Sequence, residues 1–131
     1  MQFDDFINRV QEQTRVDTPQ EAVAITKAVL ETLGERLDRK VRNGVAAQLP
    51  KELKEFLLAR NDKTDHYGVT EFYHRVGARS ELKSREALIH TRQVFGVLRQ
   101  AIPEGEIQDI LEDLPEEYES LFETELPNPG R

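Results

Sequence analysis

The sequence predicts an all-α protein: a helical bundle of about eight helices, built from two tandem pseudo-symmetric four-helix repeats. Three observations predict it. Apolar residues recur every three or four positions through most of the 131 residues, and no stretch alternates with the period of two that marks a half-buried strand. Helix-start signals stand ahead of the apolar runs, Thr18-Pro19-Gln20-Glu21 before one of them and the Leu-Pro pairs Leu49-Pro50 and Leu114-Pro115 before two others. The chain also resembles itself. Phe6, Arg9 and Val10 align with Phe72, Arg75 and Val76. After a one-residue slip, Glu21-Ala22 aligns with Glu86-Ala87, Thr26 with Thr91, Leu33 with Leu98, Leu37 with Ile102, and Leu49-Pro50 with Leu114-Pro115.

Taken in order, Phe3, Phe6, Ile7 and Val10 form one helical stripe, which sets a first helix ending near Thr14, with a counterpart from about Val69 to Arg79. Thr18 can accept from the free amides of a first turn, Pro19 gives up no needed N–H, and Glu21 completes a capping box. The long second helix then carries Ala22, Ile25, Thr26, Val29, Leu30, Leu33 and Leu37 inward. Its counterpart, with Ser84 as cap, carries Ala87, Thr91, Val94, Phe95, Leu98 and Ile102. Shorter helices follow around Val41 and Val45 and around Ile107, Ile110 and Leu111. A fourth helix opens in each half with Pro50 or Pro115 at its first position and acids behind it, where they complement the helix dipole.

These elements divide the chain into repeat one at 3–58, a stripe-less connection at 59–68 ending in Gly68, and repeat two at 69–124. The expected organisation is one helical domain over 1–126 with a flexible Pro- and Gly-bearing tail at 127–131. Two independent units joined by the connection form the alternative, disfavoured because units of about 60 residues bury only a marginal core.

Cysteine is absent, which removes disulfides, thiolate metal sites and thiol nucleophiles, and suits a reducing compartment; the cytoplasm is the expected location. No window reaches the roughly 18–20 apolar residues of a membrane span, and no export signal is visible at the start, so no membrane association is expected. Charged residues make up 33% of the chain and the net charge is -7, a balance against a general phosphate-backbone binder. The charge is polarised, with ten acids and no base between Glu104 and Glu125, and a basic stretch from Arg75 to Arg99 ahead of it.

Candidate chemistry is sparse. Glu71 and His74 have the Glu-x-x-His spacing that puts a carboxylate and an imidazole on one helical face, as in di-iron bundles, but the matching Asp5-Phe6-Ile7-Asn8 lacks the histidine. Glu86 and His90 read as a surface pair one turn apart, and neither they nor His66 with Glu71 belong to a metal-ligand signature. Ser80, Ser84 and Ser120 stand in no nucleophile motif, the glycines form no phosphate loop, and no cofactor is expected. Arg9 and Arg75 occupy equivalent positions beside an apolar stripe. They are possible anion contacts, although an arginine there more often covers a core edge and bonds a nearby carboxylate.

The motifs Phe3-x-x-Phe6-x-x-Arg9-Val10, Val29-Leu30-x-x-Leu33-x-x-x-Leu37, Ala47-Gln48-Leu49-Pro50 with Glu52-Leu53, and the echo Val69-x-x-Phe72-x-x-Arg75-Val76 together resemble a bacterial family catalogued as domain of unknown function 2267. The resemblance covers nearly the whole chain short of its tail. It implies an all-helical, cytosolic bacterial protein and supplies no catalytic residues. The leading expectation is a non-catalytic protein-binding or adaptor module that uses a helical groove or the acidic residues Glu112, Asp113, Glu116, Glu117 and Glu119, the latter with a basic protein partner. A metal-binding or enzymatic bundle around Glu71 and His74 is the competing class, and nucleic-acid binding through the Arg75–Arg99 face is third. A homo-oligomer is compatible with the sequence.

Overall fold

Seven α-helices and one 3-10 helix make up the computed structural model, which describes residues 1–60, 63–82 and 84–123; there is no strand among the described residues. The helices are α1 (Phe3–Thr14), α2 (Pro19–Arg36), α3 (Arg39–Ala46), α4 (Lys51–Leu58), α5 (Val69–Ser80), α6 (Ser84–Ala101) and α7 (Glu104–Asp113), followed by the 3-10 helix Glu116–Phe122. The expected tail at 127–131, and the side chain of the expected cap Ser84, lie outside the described residues.

Local chemistry sets the boundaries. Thr18 Oγ1 accepts from the Glu21 amide (3.2 Å) and Pro19 takes the first helical position, so α2 starts where its sequence signal stands. The Thr18 hydroxyl also reaches Glu21 Oε1 (3.3 Å), so the pair meets side chain to side chain as well. α1 and α5 both end on a left-handed residue, Arg15 (φ 59°) and Glu81 (φ 62°), and both turn a hydroxyl of the last turn back onto the main chain: Thr14 to the Val10 carbonyl and Ser80 to the Val76 carbonyl. Two expectations are corrected. Pro50 and Pro115 sit at the capping position rather than inside the helix. The segment after Pro115 is a 3-10 helix, not an α-helix like α4.

The long helices α2 and α6 form the centre, and the first helix of each half packs on both of them: α1 against α2 and α6, α5 against α6 and α2. Their facing stripes merge into one apolar core in which Phe6, Leu30, Leu33, Phe72, Phe95 and Leu98 are fully buried. The second half is the more aromatic. Phe72 meets Phe95 and Tyr118 edge-on, at ring separations of 5.9 and 5.8 Å, and Phe95 lies 4.7 Å from Phe122. Leu30, Leu53 and Leu57, which match Phe95, Tyr118 and Phe122 in sequence, hold aliphatic side chains at the same depth. α2 and α4 approach closely at Gly34, where a Cβ would collide with the Leu57 carbonyl.

Candidate functional site

Among the helix contacts that join the halves, polar chemistry concentrates at two, α5 on α2 and α1 on α6. At the first, Glu35 of α2 is the hub. Its Oε1 accepts from Arg75 Nη1 (2.8 Å) and lies 3.1 Å from the Tyr67 hydroxyl, while Arg79 Nη2 donates to both carboxylate oxygens (3.1 and 3.0 Å). Arg75 also donates to Glu71 (2.8 Å) and Asp65 (2.9 Å), and its guanidinium lies 3.9 Å from the centre of the Tyr67 ring. Arg79 Nη1 continues the network to Thr32 Oγ1 (2.9 Å).

Burial works to raise the Glu35 pKa, but the hydrogen bonds from Arg79 and Arg75 outweigh it and hold the carboxyl below its ordinary value. Burial alone would lower the Arg75 pKa; its bonds to Glu71, Glu35 and Asp65 raise it instead. Burial and the Glu35 charge push the Tyr67 phenol well above its usual range. The Tyr67 carbonyl receives Arg36 Nε (2.8 Å) and the Tyr118 hydroxyl (2.6 Å), and burial pushes Tyr118 up to about 12. The connection thus carries a buried core residue that periodicity cannot announce, because one tyrosine in a polar stretch has no stripe to join.

At the second contact the residues in the same sequence register differ. Arg9, matched to Arg75, donates Nη1 to Gln100 Oε1 (2.7 Å), so an amide stands where Glu35 provides a carboxylate. Gln13 replaces Arg79, Val97 replaces Thr32 and Gly96 replaces Glu31. The result is an open cleft of about 400 Å³, with Arg9, Glu12 and Gln13 of α1 facing Arg92, Gln93, Gly96, Val97 and Gln100 of α6, and Glu123 beside them. Arg92 Nη2 donates to the exposed Glu123 (3.2 Å), but its Nε is buried without a hydrogen-bond partner among the described residues. Gln93 Nε2 donates to the Gln13 carbonyl (2.8 Å) and closes one end of the contact.

The family model described as an uncharacterized conserved protein (DUF2267) matches residues 3–121. The chain belongs to the DUF2267 family. No curated protein matches it.

In this DUF2267 chain the candidate residues fall at separate places. Arg9 and Arg75 lie at the two different contacts, each donating to the long helix of the other half. Glu71 accepts from Arg75 Nε, His74 is exposed, and no group of three or more metal-ligating side chains forms among the described residues. Glu112, Glu116 and Glu119 are exposed. Two of the acids have structural partners: Asp113 Oδ2 accepts from the Asp38 amide ahead of α3 (2.8 Å), and Glu117 Oε1 accepts from the Val69 amide at the start of α5 (2.7 Å). Burial and the neighbouring Asp38 raise the Asp113 pKa. Within the Arg75–Arg99 stretch Arg75, Arg79, Arg92 and Arg99 meet acids or carbonyls, with Arg92 on Glu123 and Arg99 on Glu104 and the Phe122 carbonyl. No helix among the described residues is long and apolar enough to cross a membrane.

A helical groove is among the expectations, and of the residues named for sites Arg9 lines this cleft, with Arg92 from the Arg75–Arg99 stretch, but none of those expectations locates it. Its signal lies in the alignment of the two halves, where Glu31 and Glu35 meet Gly96 and Gln100, but a comparison restricted to apolar positions passes over it.

Proposed function

We propose that the protein is a non-catalytic protein-binding module whose two halves descend from one helical unit, and that it binds its partner at the cleft between α1 and α6. The observation that carries this reading is Gly96. A mid-helix glycine costs about 1 kcal/mol against alanine. Gly34 needs its glycine because α4 packs onto it, whereas a Cβ at Gly96 would meet nothing within 4 Å. Packing therefore does not require Gly96, and the space it leaves is part of the cleft. A cytosolic setting fits the cysteine-free sequence.

The cleft is favoured over the acidic C-terminal residues because Asp113 and Glu117 already cap helices. Nucleic-acid binding is disfavoured because Arg75, Arg79 and Arg99 are compensated by acids of the same chain, and the chain carries a net charge of -7. The test is photo-crosslinking from Gln93 in cell extract, with the full chain and its Gly96→Phe variant side by side. The aromatic side chain fills the cleft and improves helix propensity, so melting should hold or rise while crosslinked partners disappear. The same partners crosslinked to both proteins would overturn the assignment.

A further inference from the structure

We propose that the group the cleft receives is the carboxylate of an acidic side chain in the partner protein, held by Arg9 and Arg92; this rests on reading the cleft as the binding site. The molecule contains its own template for such a complex. In the register that Arg9 shares with Arg75, the α5–α2 contact places a Glu carboxylate against two guanidiniums at 2.8–3.1 Å. The α1–α6 contact keeps one of those arginines, removes the carboxylate by putting Gln100 in the place of Glu35, and supplies a second guanidinium from Arg92, whose counterpart Lys27 is exposed.

Arg9 therefore bonds a neutral amide, and Arg92 keeps a buried Nε–H with no acceptor among the described residues. A guanidinium gains most from a charged oxygen; Arg9 has an amide in that place and Arg92 one exposed carboxylate on Nη2, so both retain donors that favour an incoming carboxylate. Glu12 and Glu123 also line the cleft and oppose a doubly charged phosphate more than a singly charged carboxylate. The side chains of Gln13, Gln93 and Gln100 offer amide donors and acceptors suited to the peptide groups flanking an acidic residue, which favours a protein over a free acid.

The test is an NMR titration of the full chain with the peptide acetyl-Ala-Ala-Glu-Ala-Ala-amide, its Gln analogue, sodium acetate and inorganic phosphate. The Glu peptide should shift the amide resonances of Gly96, Val97 and Gln100 saturably and bind at least about tenfold more tightly than the Gln peptide or acetate, the difference expected of one charge-assisted hydrogen bond in a partly dry site. Arg9→Gln and Arg92→Gln should each weaken it about tenfold. Gln100→Glu should do so while keeping the fold, because it installs the competing carboxylate that Glu35 supplies at the other contact. Equal binding of the Gln peptide, tighter binding of phosphate, acetate as effective as the peptide, or affinity unchanged in Gln100→Glu would each overturn the proposal. If the Glu peptide does not bind but crosslinked partners still vanish in Gly96→Phe, the cleft remains a binding site and its carboxylate specificity falls.

Discussion

Two of the contacts between the halves, α5 on α2 and α1 on α6, use helices in the same sequence register and reach opposite outcomes. Where α5 meets α2, the charged groups are matched inside the chain: Glu35 gathers two arginines and a tyrosine, and Tyr67 from the connection lies against the Arg75 guanidinium. Where α1 meets α6, the same places hold Gln13, Gly96, Val97 and Gln100, and a cleft remains. The position matched to Tyr67 is Met1, which is exposed. One contact favours cohesion, and the other leaves space and a guanidinium nitrogen without an acceptor among the described residues. On the proposed common origin of the halves, such divergence lets a binding surface arise without disturbing the scaffold, since loss of a partly exposed ion pair removes only a small share of the burial that holds helices together.

The comparison is broken most severely at its glycines. Gly34→Ala drives a Cβ into the Leu57 carbonyl and must separate α2 from α4, so we expect a loss of about 3 kcal/mol or failure to fold. Gly96→Ala meets nothing and should stabilise by about 0.5–1 kcal/mol through helix propensity. Urea unfolding of the two variants checks both signs. A destabilising Gly96→Ala would mean that the glycine serves packing after all, and would remove the main support for the cleft as a selected feature.

Much of the scaffold is legible in the sequence, and the physical reason is periodicity. The stripe from Ala22 to Leu37 and its counterpart from Ala87 to Ile102 are buried in full, because a three-to-four spacing leaves a helix only one way to hide its apolar face. Thr18-Pro19 marks the start of α2 to the residue, since capping is a local bond between neighbours. The polar chemistry is not legible in this way. Glu35, Arg79 and Gln100 are ordinary helix-surface residues in sequence, and what distinguishes them is which side chain arrives from the other half, 40 to 91 positions away. The 3-10 helix after Pro115 departs from expectation for a different reason. Its sequence matches that of α4, but its side chains pack as aromatics, Tyr118 edge-on to Phe72 and Phe122 against Phe95.

The second break exchanges the hubs. Glu35→Gln leaves Arg79 without its charged acceptor and takes one of three carboxylates from Arg75, in a partly buried contact, and should cost about 2 kcal/mol at pH 7. Gln100→Glu gives Arg9 a charged acceptor and should gain at most about 1 kcal/mol, because Arg9 is exposed. The pH dependence sharpens the contrast. The folded-state pKa of Glu35 is depressed, so its contribution is complete above the ordinary value of 4.5 and is lost as pH falls further, first as the unfolded chain takes up the proton and finally as the folded carboxyl does. Stability measured from pH 7 to about pH 3 should therefore fall less steeply in Glu35→Gln than in the parent. Parallel acid limbs would show that Glu35 is not the hub of the closed contact.

The smallest expected effect separates structural acids from solvated ones. Glu117 receives the Val69 amide at the start of α5, whereas Glu52, its match in the first half, lies exposed in the first turn of α4. Glu117→Ala removes the acceptor from a helix-start amide and should cost about 1 kcal/mol, the usual worth of a cap. Glu52→Ala, Glu116→Ala and Glu119→Ala should stay within about 0.5 kcal/mol of the parent, as exposed substitutions generally do. Thermal melts at low and high salt add a second readout. The Glu117 bond carries a full charge at a helix N-terminus, so salt should weaken the parent slightly and reduce its advantage over Glu117→Ala. Equal losses across all four variants would mean that the acidic segment acts through its summed charge, and the distinction between a capping acid and its solvated neighbours would fall.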